Sequence, residues 1–280
     1  MNAYLRLMRF DKPIGIFLLA WPMLWALWLA AGGLPSLTVL LVFVAGAVLM
    51  RAAGCIINDV ADRKIDGHVQ RTMLRPLVSG EAAPLIALLL FVGLLLVACA
   101  LVLTQNRLTI GLACLAPIFV ILYPFTKRFT HLPQLFLGLA FAWAVPMAFA
   151  AVLDSVPAKA WVVYLLALIW PVMYDTQYAM VDREDDVKIG VKSTAILFGR
   201  FDRWALGFLQ VLLWLLILWV GYLFHLNFWF FLGSFIILID FAYQQYLTFE
   251  RNRAACLKAF LHNNWLGLLI FLLVVFGGRC

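Results

Sequence analysis

Long apolar runs separated by short polar segments set the pattern of this chain. A helix needs about 20 apolar residues to cross the hydrocarbon core of a bilayer. Nine runs have that character, near 14–33, 37–58, 83–104, 107–124, 132–153, 160–180, 204–224, 228–247 and 259–277. Pro22, Pro117, Pro146 and Pro171 fall inside these runs, which is tolerated where neighbouring helices or polar groups re-satisfy the freed backbone. Trp21, Trp25, Trp28, Trp161 and Trp229 lie near run ends or within the first run and are read as interface anchors and packing groups. The pattern predicts an all-α integral membrane protein with nine transmembrane helices. No low-complexity linker divides the chain, so residues 1–280 are expected to form a single polytopic domain. No short leader with a small-residue cleavage site precedes the first run, so no removed signal peptide is expected.

Composition agrees. Of 280 residues, 66% are apolar and only 12% charged, against about 45–50% and about 25% in ordinary soluble domains. The net charge of +7 does not indicate a nucleic-acid partner, because the cations sit in the segments between apolar runs. Seventeen of the 21 Lys and Arg fall on one side of the nine-run topology, and only Arg107, Lys159 and Arg279 on the other. The positive-inside rule then places the N-terminus and the long loops in the cytoplasm and the C-terminus on the far side. The remaining cation, Arg51, lies within the second run. The five cysteines, Cys55, Cys99, Cys114, Cys256 and Cys280, show no paired spacing and read as small hydrophobes.

The candidate chemistry lies on the cation-rich side. Residues 51–80 read RAAGCIINDVADRKIDGHVQRTMLRPLVSG. Helical spacing puts Asn58, Asp59, Asp62 and Asp66 on one side of a helix. Carboxylates held that close repel one another, and a divalent cation bound by oxygen ligands alone, as Mg²⁺ is, removes the repulsion. Arg71 and Arg75 follow and suit a phosphate. A second cluster, YDTQYAMVDREDDVKIGVKS at 174–193, follows the sixth run as the first follows the second. There Asp182 and Asp186 are one turn apart, with Asp185 beside them and Asp175 seven residues upstream on nearly the same face. A lone cluster reads equally well as a solvated helix end. Two matching clusters on one side of a bundle point to half-sites that hold Mg²⁺ around a diphosphate. Arg51 precedes Asn58 and Asp62 by seven and eleven residues and shares their face; an intramembrane Arg marks a functional site unless it snorkels to the interface. Tyr123, Lys127 and Arg128 in YPFTKR lie on the same side of the membrane. Asp240, His262, Asn263 and Asn264 are polar groups in late runs that either line a cavity or satisfy one another.

These residues carry a resemblance. NDVADRKID at 58–66 resembles the NDxxDxxxD motif of the UbiA-type intramembrane prenyltransferases, and DREDD at 182–186 resembles their DxxxD motif. The likeness extends through RFDKPIG near the start, MRAAGCIIND, the RPL and SG of 75–80, YPFTKR, and the stretch from Tyr174 to Gly199. That last stretch is most similar to the branch that prenylates 4-hydroxybenzoate in ubiquinone biosynthesis. The resemblance implies nine helices around a central cavity capped by acidic loops, in a bacterial inner membrane with a periplasmic C-terminus. It implies Mg²⁺ as cofactor, with Asn58, Asp62 and Asp66 at one site, Asp182 and Asp186 at the other, and Asp59 and Asp185 in support. It further assigns Asp62, Asp66, Asp182, Asp186 and Arg128 to catalysis. Arg71, Tyr123, Lys127 and Arg128 would face the diphosphate, Asp175 would face substrate, and Arg51 either the diphosphate or the carboxylate of the aromatic acceptor. The implied partners are an allylic polyprenyl diphosphate, 4-hydroxybenzoate and membrane lipid. Homogentisate or a naphthoate would be alternative acceptors. A cation-coupled transporter is the rival from another class, but such proteins place ionisable groups near the bilayer midplane, not at one face.

Overall fold

The computed structural model describes residues 2–278, so Arg279 and Cys280, counted above, lie outside the described residues. Every regular element among them is a helix. A short N-terminal helix, α1 (Ala3–Leu7), precedes α2 (Ile14–Ala31), α3 (Leu37–Asp66) and α4 (Pro84–Val102). Next come α5 (Arg107–Ala113), α6 (Ala116–Thr126), α7 (Pro133–Ala142), α8 (Ala144–Leu153) and α9 (Ala158–Ile189). The last four are α10 (Thr194–Phe198), α11 (Asp202–Leu223), α12 (Phe228–Leu247) and α13 (Arg253–Gly277). Nine stretches among the described residues are long and apolar enough to cross a membrane, with α5–α6, α7–α8 and α10–α11 each forming one of them. They correspond one to one with the nine apolar runs.

Two differences from the expected pattern have physical causes. The fourth and fifth runs are each interrupted. Pro117 has no N–H to give the carbonyl four residues back, and α5 stops at that residue, Ala113; Pro146 stands in the same relation to Ala142, the last residue of α7. The second difference concerns α3 and α9, which are 30 and 32 residues long. At about 1.5 Å per residue each exceeds a hydrocarbon core of about 30 Å. Both acidic motifs therefore ride on helical extensions beyond the bilayer-length runs, as their spacing suggested, and not in the acidic loops that the resemblance implies. Ser36 caps the start of α3 by accepting from the Val39 N–H, and Gly190, at φ 72°, ends α9.

The main core is built from α2, α8, α9, α11 and α13 around the fully buried Trp25, Phe149, Trp170 and Met173. A smaller core joins α1, α3 and α4 through Leu7, Ala53, Ile56, Leu77 and Phe91. The outer side of α4 is apolar: Leu85, Leu89, Val92 and Leu96 are all exposed, as a lipid-facing helix requires. Among the tryptophans, Trp161 and Trp229 are exposed as anchors would be, whereas Trp25 is fully buried and Trp21 and Trp28 pack on the core. Glycine sets the approach of α7 to α9, since a Cβ at Gly138 would lie 2.5 Å from the Leu168 carbonyl oxygen. That neighbour is backbone and cannot swing aside. Gly138→Ala is therefore expected to cost about 1–3 kcal/mol of stability, read as a lowered thermal midpoint of the detergent-solubilised protein; an unchanged midpoint would contradict this packing.

Candidate active site

The two extended helices face each other across a polar pocket of about 140 Å³ at the acidic end of the bundle. α3 supplies Asn58, Asp62 and Asp66, each one turn from the next, and α9 supplies Asp175, Tyr178, Asp182 and Asp186. Tyr123 and Lys127 enter at the end of α6, and Arg71, Thr72 and Arg75 from the segment after α3. Gln134 of α7 and Lys192, after α9, complete the wall. An apolar cavity of about 1250 Å³ adjoins this pocket and shares Asn58, Arg71, Arg75, Tyr123, Asp175 and Tyr178 with it. Arg51 lines the large cavity, which runs on between apolar residues such as Leu18, Phe43, Leu137 and Phe260.

Cations neutralise the crowded carboxylates pairwise. Lys127 Nζ donates to Asp62, and Arg71 holds Asp182 through its Nε at 3.1 Å and its Nη2. Arg75 bridges Asp66 and Asp59, the latter at 3.0 Å. Burial works against the charge on Arg75, yet Asp59 and Asp66 outweigh it and hold its pKa above the ordinary arginine value. Arg71 also lies 4.5 Å from the Tyr178 ring centroid, a cation–π contact that fixes its plane. The closing segment is tied down by backbone: Lys192 N–H donates to the Lys127 carbonyl at 3.1 Å, and Thr194 N–H to Gln134 Oε1 at 3.1 Å. Oδ1 of Asp62, the oxygen that Lys127 does not hold, is buried without a hydrogen-bond partner. No three carboxylates or histidines among the described residues form a ready-made cage for a metal.

Three expected site residues lie elsewhere. Asp59 faces away from the polar pocket, is 1% exposed, and both of its carboxylate oxygens accept from Arg9 Nη2 at 2.8 Å, with Arg75 also against it. One residue on from Asn58 is a rotation of about 100° around the helix, enough to move it to another face. Asp185 points outward to Arg253, at 3.1 Å. Arg128 donates to the Ala61 carbonyl at 2.7 Å and lies 5.3 Å from the Phe125 ring, outside the pocket. Asn58, Asp62, Asp66, Arg71, Tyr123, Lys127, Asp175, Asp182 and Asp186 do come together. Sequence reasoning passed over Gln134 and Lys192. A Gln directly after Pro133, at the head of an apolar run, was the available signal for the first.

The late polar residues satisfy one another. Trp170 Nε1 donates to Asn263 Oδ1 at 3.2 Å, Asn263 to Gln177 at 2.9 Å, Gln177 to Gln244 at 2.7 Å, and Gln244 to Asp240 at 2.6 Å. His262 Nδ1 sits 2.7 Å from Asp240, and Asn264 accepts from Trp21 at 3.0 Å. Buried amides paired in this way hold α9, α12 and α13 in register. The Arg9–Asp59–Arg75 group has a comparable structural part, since it ties the segment before α2 to α3. Asp59→Ala is expected to cost about 3 kcal/mol by leaving Arg9 without its buried carboxylate and Arg75 with Asp66 alone. Thermal unfolding with tryptic cleavage at Arg9 checks this, and wild-type behaviour in both would contradict the anchoring part.

The sequence matches the UbiA prenyltransferase family over residues 19–274. It is 56% identical over 272 residues to a 4-hydroxybenzoate octaprenyltransferase of Coxiella burnetii (strain RSA 493 / Nine Mile phase I), covering 97% of this chain and 95% of that protein. Identity is 57% over 270 residues to a protein of the same name from Enterobacter sp. (strain 638), covering 96% and 93%. The fold is similar to the apo structure of a UbiA homologue from Aeropyrum pernix K1, with TM-score 0.80, 22% identity, and coverage of 92% of this chain and 96% of that one. It is also similar to a UbiA homologue from Archaeoglobus fulgidus bound to GPP and Mg²⁺, with TM-score 0.75, 20% identity, and coverage of 98% and 99%. With matching residues along almost its whole length, and two acidic helix ends closing one pocket over an apolar cavity, this chain belongs to the UbiA prenyltransferase family.

Proposed function

We propose that this chain transfers a polyprenyl group from an allylic polyprenyl diphosphate to C3 of 4-hydroxybenzoate, releasing diphosphate, as a step of ubiquinone biosynthesis. The observation that carries the reading is the continuity of an anion-binding polar pocket with a large apolar cavity. A diphosphate and a hydrocarbon chain on one molecule require that pairing. The names of the relatives identified above support the acceptor.

The pocket's donors fit Mg²⁺: they are oxygen ligands from opposed helices, and Asp62 Oδ1 is a buried acceptor with nothing to accept from. Mg²⁺ keeps waters and shares its coordination between a few carboxylates and substrate phosphates, so a preformed cage is not required. Asn58, Asp62 and Asp66 would hold one ion, and Asp182 and Asp186 another. When bound, the metal neutralises the negative charge that grows on the departing diphosphate. Asp59 and Asp185 are positioning groups in this account, and Arg128 supports the backbone of α3.

The chain's own residues do the rest. Lys127, Arg71 and Arg75 stand beside the carboxylates, where they face the leaving group as the allylic C1–O bond breaks. Preorganised cations of this kind stabilise charge that develops in the transition state. The ring carbon ortho to the phenol then bonds to C1, and the ring proton is lost. Tyr123, Tyr178 and the apolar wall limit water near the allylic cation. Arg51, on the large-cavity side of Tyr123 and Asp175, is assigned to the acceptor carboxylate, since the diphosphate has its own cations.

The distribution of cations supports placing the acidic end in the cytoplasm of a bacterial inner membrane, with 4-hydroxybenzoate arriving from that side. Turnover is to be measured in membranes containing the expressed protein, with an allylic polyprenyl diphosphate and 4-hydroxybenzoate. Mg²⁺-dependent C-prenylated acid is expected, abolished by chelator. Asp62→Ala and Asp182→Ala are each expected to lower kcat by on the order of 10²–10³-fold or more in correctly inserted protein. Full activity of either variant at saturating Mg²⁺ would refute the metal assignment, and no product with any carboxylated phenol would refute the acceptor.

A further inference from the structure

The RFDKPIG segment contains a glycine whose neighbour differs in kind from those of the other crowded glycines. An added Cβ at Gly267 would meet the rings of Trp21 and Trp170 at 2.3 to 2.7 Å, and one at Gly221 would meet Phe230 at 2.4 Å. Those positions permit helix packing. At Gly15, in the first turn of α2, the Cβ would lie 2.2 Å from Arg51 Nε, 2.3 Å from Nη2 and 2.5 Å from Cζ. Three atoms of one guanidinium plane therefore rest on the bare α2 backbone.

Arg51 has no other fastening. It belongs to none of the ion pairs among the described residues, and its Nε is buried without a hydrogen-bond partner. An intramembrane arginine held in no direct ion pair is costly and marks a substrate path. Its planar fork recognises a carboxylate only in one orientation. Here the close contact with Gly15 limits where that fork can point, and Asp175, on the same cavity wall, acts on its charge without forming an ion pair.

We propose that Gly15 positions Arg51 for the carboxylate of the aromatic acceptor and so helps to set acceptor selectivity. The proposal rests on the reading of Arg51 given above. A methyl group at position 15 would press on the far end of a flexible side chain beside a cavity of about 1250 Å³, so the guanidinium yields and the helix does not. Restoring normal contact, near 3.5 Å, moves the guanidinium by about 1 Å, and a misplacement of that size costs on the order of 10²-fold in a positioned reaction. Alanine also favours helix over glycine, so α2 itself is not weakened.

The test measures kcat and both KM values for Gly15→Ala, Arg51→Ala and the double variant. Gly93→Ala serves as control, because a Cβ there meets nothing within 4 Å. Gly15→Ala is expected to raise the acceptor KM about tenfold or more, to leave the donor KM within twofold, and to keep the wild-type thermal midpoint. In the Arg51→Ala background the same substitution is expected to change the acceptor KM less than twofold, because its effect passes through Arg51. An equal rise in that background would show a structural part instead and overturn the proposal. So would an unchanged acceptor KM in Gly15→Ala, or failure of that variant to accumulate in membranes. If Arg51→Ala itself left the acceptor KM unchanged, the acceptor reading of Arg51 would fall and this proposal with it. A raised KM in Arg51→Ala alone would sink only the positioning part.

Discussion

Five carboxylates, Asp62, Asp66, Asp175, Asp182 and Asp186, line one small pocket, and their mutual repulsion is the constraint to which the acidic end of the bundle is fitted. Like charges at this spacing cannot share a partly buried site without compensation. The compensation comes from Lys127, Arg71 and Arg75, each delivered by an element other than the helix whose carboxylate it neutralises. The pairings therefore act as tertiary fastenings as well as charge balance. Arg71 links the segment after α3 to α9, and Lys127 links α6 to α3. A pocket so arranged can exchange protein cations for metal and take a diphosphate with little movement of backbone.

The apolar part of the structure follows from where each helix finds its partner. α2, α9 and α13 bury aromatic and aliphatic side chains against one another and satisfy their few polar groups in a chain of amides from Trp170 to Asp240. α4 has no such neighbour on its outer side and presents leucine and valine to lipid. Between these halves lies the large cavity, bordered by the interrupted α5–α6 stretch at Ala113, Cys114 and Pro117. Irregular backbone at membrane depth is tolerated where it borders a cavity or is buried in protein, and this break meets that condition.

Much of this was legible in the residues. Nine spans could be read because bilayer crossing demands length and apolarity, both local properties. The pairing of two acidic motifs was legible because helical spacing is local too. What depended on distant partners was not. Asp59 belongs to the first motif by spacing, but Arg9, fifty residues earlier, and Arg75 bind it on another face. Arg128 adjoins Lys127 in sequence, yet the two side chains diverge at the end of α6, one to a carboxylate and the other to a backbone carbonyl. The unbroken continuation of the second and sixth spans through both motifs escaped because the apolar pattern ends near residues 58 and 180. In fact α3 and α9 simply continue. Gln134 and Lys192 were passed over because a lone amide and a lone lysine carry no spacing to read.

These paired carboxylates are assigned to bind divalent cation together with a diphosphate. The most direct measurement is Mn²⁺ binding to the purified protein by electron paramagnetic resonance, with and without a non-hydrolysable allylic diphosphate analogue. Tight Mn²⁺ binding that requires the analogue is expected, with loss in both Asp62→Ala and Asp182→Ala. Binding unaffected by those substitutions, or no binding in the presence of the analogue, would contradict that assignment.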